Sequence, residues 1–113
     1  MRLRNVTPFD FRGLQIRDLT RESVPSASVA QIEVAPGIAH SKAKSIKSDK
    51  LYLCVDGTLI FMVDGKRIEV EPTDLLVIQK NEWFEYGNES SKTATLLLIH
   101  IPPFDLESEV FQD

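Results

Sequence analysis

Residues 50–88 read KLYLCVDGTLIFMVDGKRIEVEPTDLLVIQKNEWFEYGN, and this stretch decides the fold. Short runs rich in β-branched and aromatic residues are separated by turn pairs such as Asp56-Gly57 and Asp64-Gly65. The Asp64-Gly65 pair predicts a two-residue type I′ hairpin, because both central residues of that turn take positive φ. Many short strands with regular turn signals and almost no helical periodicity are typical of a β-sandwich or barrel.

The flanking sequence extends the same pattern of strands. Residues 27–35 alternate apolar and polar side chains, and Thr93–Ile101 is the longest predicted strand, which ends at Pro102-Pro103 because proline cannot donate to a β-ladder. Residues 38–49 are polar and rich in Lys and Ser, so we expect a loop with an extended edge there.

We therefore expect a single domain over residues 1–113, since a chain of 113 residues fits one domain with its own core. Residues 1–26 are predicted to be an N-terminal arm or edge strand, residues 27–101 the barrel, and residues 102–113 a C-terminal tail that forms an arm or a short helix.

Composition argues against several classes of protein. The net charge of −4 disfavours nucleic acid as a partner, because binding to phosphates depends on a surplus of Lys and Arg. No apolar run approaches the roughly 18 residues that span a bilayer, and no signal peptide is visible. Cys54 is the single cysteine and has no partner for an internal disulfide, so we expect a cytoplasmic location.

The stretch from Pro36 to Asn88 resembles the cupin family of small β-barrels. The family's motifs are G-x5-H-x-H-x(3,4)-E-x6-G and G-x5-P-x-G-x2-H-x3-N. Counting back from Gly57 places the carboxylate of the first motif at Lys50. Counting from Thr73 places the proline, glycine, histidine and asparagine of the second motif at Gln79, Asn81, Phe84 and Asn88. The resemblance implies an all-β fold, a single jelly-roll barrel of the double-stranded β-helix type.

The family's metal ligands are mostly replaced. Either His40 matches the first histidine and Lys42 the second, or the family spacing places both within residues 43–46, which contain no histidine. The ammonium of Lys50 would repel a divalent ion, and Phe84 has no lone pair to donate. We therefore predict no cofactor and disfavour a divalent metal ion, for which His40 and His100 are the remaining candidate ligands.

The same positions predict a cavity. Side chains alternate along a strand, so if Lys50 faces inward, Tyr52 and Cys54 do too, and Tyr86 follows Phe84. An amine beside aromatic rings suits a small anionic ligand such as a carboxylate. The candidate ligand-binding residues are His40, Lys42, Lys50, Tyr52, Phe84 and Tyr86. Alternatively, these rings only fill the core and Lys50 extends to water.

Two further residues leave alternatives open. His40 is a ligand, a general base or a solvated loop residue. His100 lies in an apolar strand and is a core or interface residue, unless it faces the cavity and approaches His40. Cys54 is predicted to be an unreactive buried thiol, because apolar burial raises a thiol pKa.

The function that these features favour is a metal-poor cupin module that binds a small molecule, with no assigned reaction. The alternative is a divergent cupin enzyme, an isomerase, lyase or dioxygenase-like protein, that uses His40 with Lys50 and Tyr86. A third possibility is an interaction protein whose interior is only core. We expect a homodimer that pairs through the strand at Thr93–Ile101 and the tail at Phe104–Phe111, and neither a nucleic-acid nor a membrane partner.

Overall fold

The computed structural model describes residues 1–112 and consists almost entirely of β-strands. The strands are β1 (Phe9–Phe11), β2 (Leu14–Asp18), β3 (Ser28–Val34), β4 (Ala39–Ser45), β5 (Asp49–Asp56), β6 (Leu59–Val63), β7 (Lys66–Val70), β8 (Leu75–Ile78), β9 (Phe84–Gly87), β10 (Ala94–Ile101) and β11 (Glu109–Phe111). A 3₁₀ turn at Leu106–Ser108 precedes β11. The predicted all-β class is confirmed.

Two antiparallel sheets form the body of the molecule. One has six strands in the order β1-β2-β3-β10-β5-β8, and the other has five in the order β11-β4-β9-β6-β7. Their inner faces meet in an aromatic core, where the ring of Tyr52 on β5 lies edge-on to Phe61 on β6 at a centroid distance of 5.1 Å. Closing two sheets on each other in this way buries one face of every central strand.

The alternation of β5 and β10 decides which side chains face the interior. Every second residue of each strand is buried, and the intervening residues face outward. Burial of Lys50, Tyr52 and Cys54 agrees with the predicted inward face. The buried side chains lie opposite one another across the ladder, in the pairs His100–Lys50, Leu98–Tyr52 and Leu96–Cys54. His100 therefore faces the interior, a point that the sequence left open.

The predicted turns contain residues with positive φ, the backbone conformation that favours glycine. Asp64 and Gly65 have φ of 48° and 80° and join β6 to β7, as the hairpin signal predicts. Gly57 has φ of 75°, and a Cβ atom there would lie 2.8 Å from the Cα of Ala94. Only glycine fits such a close backbone approach without displacing a strand.

The second motif keeps its backbone geometry although its glycines are gone. Thr73 and Asn81, which stand at the two glycine positions, have φ of 77° and 70°. Positive φ is uncommon for a β-branched residue such as threonine. Asn88 is buried, and its amide donates to the carbonyls of Val34 and Lys92 at 2.8 Å each, so this motif residue holds a loop.

The prediction of a loop at residues 38–49 is wrong. Most of it is strand β4, which pairs with β9 on one side and β11 on the other. The polar composition hid the alternation, because the inward side chains are the small Ala43 and Ser45, while Lys42 before them is exposed and Lys44 between them is half-buried.

Both ends of the chain belong to the sheets. Strands β1 and β2 extend the six-stranded sheet, and Leu14 is part of the core with 1% of its surface exposed. Strand β11 completes the five-stranded sheet beside β4. The structure therefore extends the folded region beyond residues 27–101. Among residues 1–112, no helix is long and apolar enough to cross a membrane.

Candidate functional site

A cavity of about 320 Å³ opens between the two sheets. Most of its lining is apolar and includes side chains from both chain ends, and six groups that can donate, accept or carry charge come to it from β4, β5, β9, β10 and β11. A few convergent polar groups in a largely apolar cavity of this size are typical of small-molecule sites. The six are His40, Lys50, Tyr52, Tyr86, His100 and Glu109.

The ring of His40 is held in one tautomer. Its Nδ1 lies 2.6 Å from the backbone carbonyl oxygen of Ser41. A carbonyl oxygen only accepts, so we assign the proton to Nδ1, which leaves a lone pair on Nε2. Burial is the main cause that lowers the pKa of His40 to about 4, and the nearby Lys50 and Arg12 charges lower it further. The neutral ring therefore presents Nε2 as a proton acceptor near pH 7.

Aromatic rings fix the position of the imidazole. His40 pairs across the ladder with Tyr86, and their rings stack at a centroid distance of 5.1 Å. The rings of Phe84, Phe111 and Phe11 surround it at 5.2, 6.1 and 6.4 Å. The register of β4 shifts between His40 and Ala43, and such bulges redirect side chains near functional sites.

The hydroxyl of Tyr86 has an unused hydrogen-bonding group. Among residues 1–112, it is the buried side-chain polar atom that lacks a hydrogen-bond partner. Burial of an unpaired hydroxyl costs about 1–3 kcal/mol, so such a group calls for an explanation. Burial also raises its pKa above the usual value, which keeps the hydroxyl protonated and able to donate. The hydroxyl therefore has a hydrogen-bonding capacity that the described residues of the protein do not use.

Lys50 lies in a buried network of three side chains. Its Nζ is 2.5 Å from Glu109 Oε1 and 2.8 Å from His100 Nε2. The side chains of Lys50 and Glu109 are 3% and 5% exposed. Burial and the neighbouring ammonium lower the pKa of His100 to about 3, so His100 accepts from Lys50 as a neutral ring.

The predicted ligand-binding residues do not all reach the cavity. His40, Lys50, Tyr52 and Tyr86 line it, and Phe84 lies buried behind them against His40. The placement of Lys42 corrects the prediction for that residue: its side chain is exposed on the other face of β4, with Nζ 5.9 Å from the Trp83 ring centroid. The reason is the register shift of β4 between His40 and Ala43, which turns Lys42, two residues after His40, to the opposite face.

The sequence analysis missed Glu109 and the rings of Phe11 and Phe111. Glu109 and Phe111 come from the tail, where a strand of three residues is too short for a periodic signal. The alternation of these two residues in sequence was the available sign that they share a face. Phe11 lies in β1, a strand equally short.

The residues present do not fit the metal ion that cupins commonly hold. Lys50 replaces the carboxylate and is bonded to Glu109, while Phe84 replaces a histidine and lies with its ring centroid 5.4 Å from the Lys50 ammonium. In the part of the chain that the structure describes, no three His, Cys, Asp or Glu side chains converge as metal ligands. An ammonium at the centre of the site opposes a divalent cation.

Comparison with known proteins decides the family. The family model described as "Cupin domain" matches residues 31–100, which is more than half of the chain. The chain belongs to the cupin family. No curated protein sequence matches this cupin.

Solved structures agree with that fold at low sequence identity. PAC13 from Streptomyces, a nucleoside dehydratase, superposes with a TM-score of 0.83 at 20% identity and covers 95% of this chain and 84% of its own. KdgF from Halomonas sp. gives 0.78 at 15%, with coverage of 88% and 89%. A predicted oxalate decarboxylase from Thermotoga maritima gives 0.79 at 17%, with coverage of 86% and 93%. These likenesses show the barrel of this cupin and not its reaction.

The two depressed histidine pKa values predict acid sensitivity of the fold. In the unfolded chain both imidazoles take up a proton near pH 6.5, but in the folded protein they do so only near pH 4 and pH 3. The unfolded state therefore binds more protons in this window, and the free energy of unfolding falls as the pH drops. At about 1.4 kcal/mol per pKa unit, the loss amounts to several kcal/mol.

Urea denaturation at a series of pH values measures this loss. The double variant His40→Gln/His100→Gln retains the carboxylates but lacks both imidazoles, so its stability should depend less on pH across the same window. Equal slopes for the variant and the native protein would contradict the assignment of both rings as buried and neutral.

Proposed function

We propose that this cupin is a lyase that binds a hydroxylated, ring-bearing small molecule of the nucleoside class and eliminates water from it. The observation that carries the proposal is the pairing of His40 with Tyr86. A neutral imidazole with a free Nε2 stacks on a tyrosine whose buried hydroxyl has no protein partner, and both line one cavity. A base and a hydrogen-bond donor are the two groups that an elimination requires.

The chemistry assigns a role to each group. His40 Nε2 removes a proton from a carbon next to a carbonyl group, and the electron pair moves towards the carbonyl oxygen. The Tyr86 hydroxyl donates to that oxygen and stabilises the developing charge. The carbon–oxygen bond at the β carbon then breaks as the electron pair returns to form the double bond between the α and β carbons, and the departing hydroxyl takes the proton from the His40 imidazolium and leaves as water. The rings around His40 hold the imidazole in place and exclude solvent.

The comparison with PAC13 supports the choice of reaction. PAC13 is described as a nucleoside dehydratase, and its structures with uridine include variants in which one histidine and two tyrosines were changed, each singly. In that chain the three positions are separated by 13 and then 34 residues. In this chain His40, Tyr52 and Tyr86 are separated by 12 and then 34. All three line the cavity.

The direct test is an elimination assay. The purified protein is incubated with nucleoside-derived aldehydes and ketones that carry a hydroxyl group beta to the carbonyl. We expect a product lighter by one water, with the near-ultraviolet absorbance of a double bond conjugated to a carbonyl. Absence of water loss from every compound that binds would contradict the lyase and leave a binding module.

A binding module is the second candidate, and the presence of Lys50 in the cavity favours it. An ammonium among aromatic rings can hold an oxygen of a ligand, and an anionic or carboxylate ligand was the first interpretation of the sequence. A thermal-shift screen that compares nucleosides with small carboxylates and sugar acids separates the two ligand classes. Stabilisation by carboxylates alone, without turnover of any nucleoside derivative, would favour the module.

We further propose that two copies of the chain pair through the outer face of the six-stranded sheet. Apolar side chains of β5, β8 and β10 adjoin there in cross-strand pairs such as Leu53–Leu75 and Leu51–Val77. Leu75 and Val77 are 57% and 50% exposed, and exposed apolar patches commonly mark interfaces. The cavity lies on the opposite face of the sheet and stays accessible.

Light scattering coupled to size-exclusion chromatography tests the pairing. We expect a dimer at micromolar concentration, and we expect Val77→Lys to convert it to a monomer with an unchanged fold, because a charge at the centre of an apolar contact is costly. A native monomer at that concentration would contradict it. A cytoplasmic location without nucleic-acid or membrane partners stays a prediction from composition.

A further inference from the structure

We propose that Glu109 sets the charge selectivity of the cavity: it neutralises Lys50, so that the cavity accepts uncharged ligands, and without it the same cavity binds carboxylates. The inference rests on the proposed use of this cavity as a ligand site, but it does not depend on the elimination reaction.

The first step is the charge of the buried network. An ammonium has three N–H donors, and Lys50 directs one to Glu109 and one to the His100 ring. The lysine and glutamate side chains are almost fully shielded from water. Each charge is therefore compensated by the other and not by solvent. The imidazole of His100 is neutral, as its lowered pKa indicates. The network therefore carries no net charge.

The second step is the donor that remains. Lys50 lines the cavity, and its ammonium has one donor more than its two protein partners use. A neutral carbonyl or hydroxyl oxygen accepts a bond from that donor without disturbing the ion pair. A carboxylate would bring a second negative charge to an ammonium that Glu109 already compensates, and like charges in a poorly hydrated wall repel strongly.

The third step concerns the charges on the rest of the cavity lining. Asp18 and Glu22 contribute to the outer part of the same cavity. Both are acidic and exposed, so they add negative potential along the entrance. These two carboxylates oppose an anion at the entrance, while a nearby cation, Arg12, lies over the rings of Phe11 and Phe111 and offsets part of that potential.

A matched pair of probes tests the proposal by calorimetry. Benzoate and benzamide have nearly the same shape and differ in charge, and an aromatic cavity accommodates either ring. We expect the native protein to bind benzamide at least as tightly as benzoate. In Glu109→Gln, which keeps the length and a hydrogen-bonding group, the ratio of benzoate to benzamide affinity should rise about tenfold or more.

The controls separate charge from local damage. Glu107→Gln removes an exposed acid two residues away and should leave the affinity ratio unchanged. Lys50→Met/Glu109→Gln removes both charges and should return the ratio towards the native value. If Glu109→Gln does not fold, the native ratio still decides, because a native preference for benzoate overturns the proposal.

Two other results would also overturn it: an affinity ratio in folded Glu109→Gln within threefold of the native ratio, or no detectable benzoate binding to that variant. Failure of the proposed reaction has a separate signature. A protein that eliminates no water but shows the expected shift in ratio keeps the charge selectivity and loses only the lyase.

Discussion

His40→Gln is expected to lower kcat/KM for water elimination by about 10²–10⁴-fold, while ligand affinity changes only a few-fold. Glutamine keeps a polar side chain of similar size beside Tyr86 but has no nitrogen lone pair that can take a proton. The free Nε2 of His40, set by the bond from Nδ1 to Ser41, is therefore the property that the substitution removes. Steady-state kinetics with calorimetric binding separates the two quantities.

Lys42→Met is the matched control for this prediction. Lys42 lies two positions further along β4, but its side chain is exposed beside Trp83 and outside the cavity. We expect native kinetics from it. Activity in His40→Gln within threefold of the native level would contradict the role of His40 as the base.

Lys50→Met is expected to lower the free energy of unfolding by about 3–5 kcal/mol. The methionine fills much of the same volume but leaves the Glu109 carboxylate buried, 5% exposed, without its ammonium partner. His100 loses a donor at the same time. Urea denaturation at neutral pH measures the difference, and the double variant Lys50→Met/Glu109→Gln should recover a large part of it because no unpaired charge remains.

An exposed ion pair provides the control for the stability measurement. Lys92 lies 2.9 Å from Asp56, but their side chains are 67% and 55% exposed. Solvent screens such a pair, so Lys92→Met should cost less than about 1 kcal/mol. Equal costs for Lys50→Met and Lys92→Met would show that burial of the Lys50 network does not govern the fold.

The fold could be predicted from the sequence because the sequence signals that indicate it are local. The Asp64-Gly65 hairpin needs only two adjacent residues with positive φ, and both have it. Motif spacing predicted that Thr73 and Asn81 stand at glycine positions, and their backbones have the conformation of glycine. Spacing along a strand likewise put Lys50, Tyr52 and Tyr86 on inner faces, where they are buried.

Only some of the site residues could be predicted from the sequence. The others lie on strands that are distant in sequence or that lack a hydrophobic pattern. Lys50 and Glu109 are 59 residues apart and meet only when β11 pairs with β4. A strand as short as β11 carries no periodic signal. The inward residues of β4 are small or polar, so the hydrophobic pattern that identifies a strand is missing, and Lys42 was predicted to face the cavity.

The residues at the replaced metal-ligand positions belong to a buried centre in which charges are compensated. Lys50 and Phe84 stand where a carboxylate and an imidazole are found in the family motif, and the Lys50 ammonium lies 5.4 Å from the Phe84 ring centroid. The buried charge that a metal ion would bring is replaced by an ammonium, with Glu109 as its counter-charge. We infer that the interior keeps a compensated polar centre, while His40 and Tyr86 supply the reactive groups.

The measurement that tests this account most directly is a crystal structure of the protein with uridine, with anomalous data collected for transition metals. The account predicts uridine in the cavity, an oxygen of the ligand bonded to the Tyr86 hydroxyl, and Lys50 still paired with Glu109. An anomalous peak from a transition metal held by three or more protein atoms inside the cavity would contradict it.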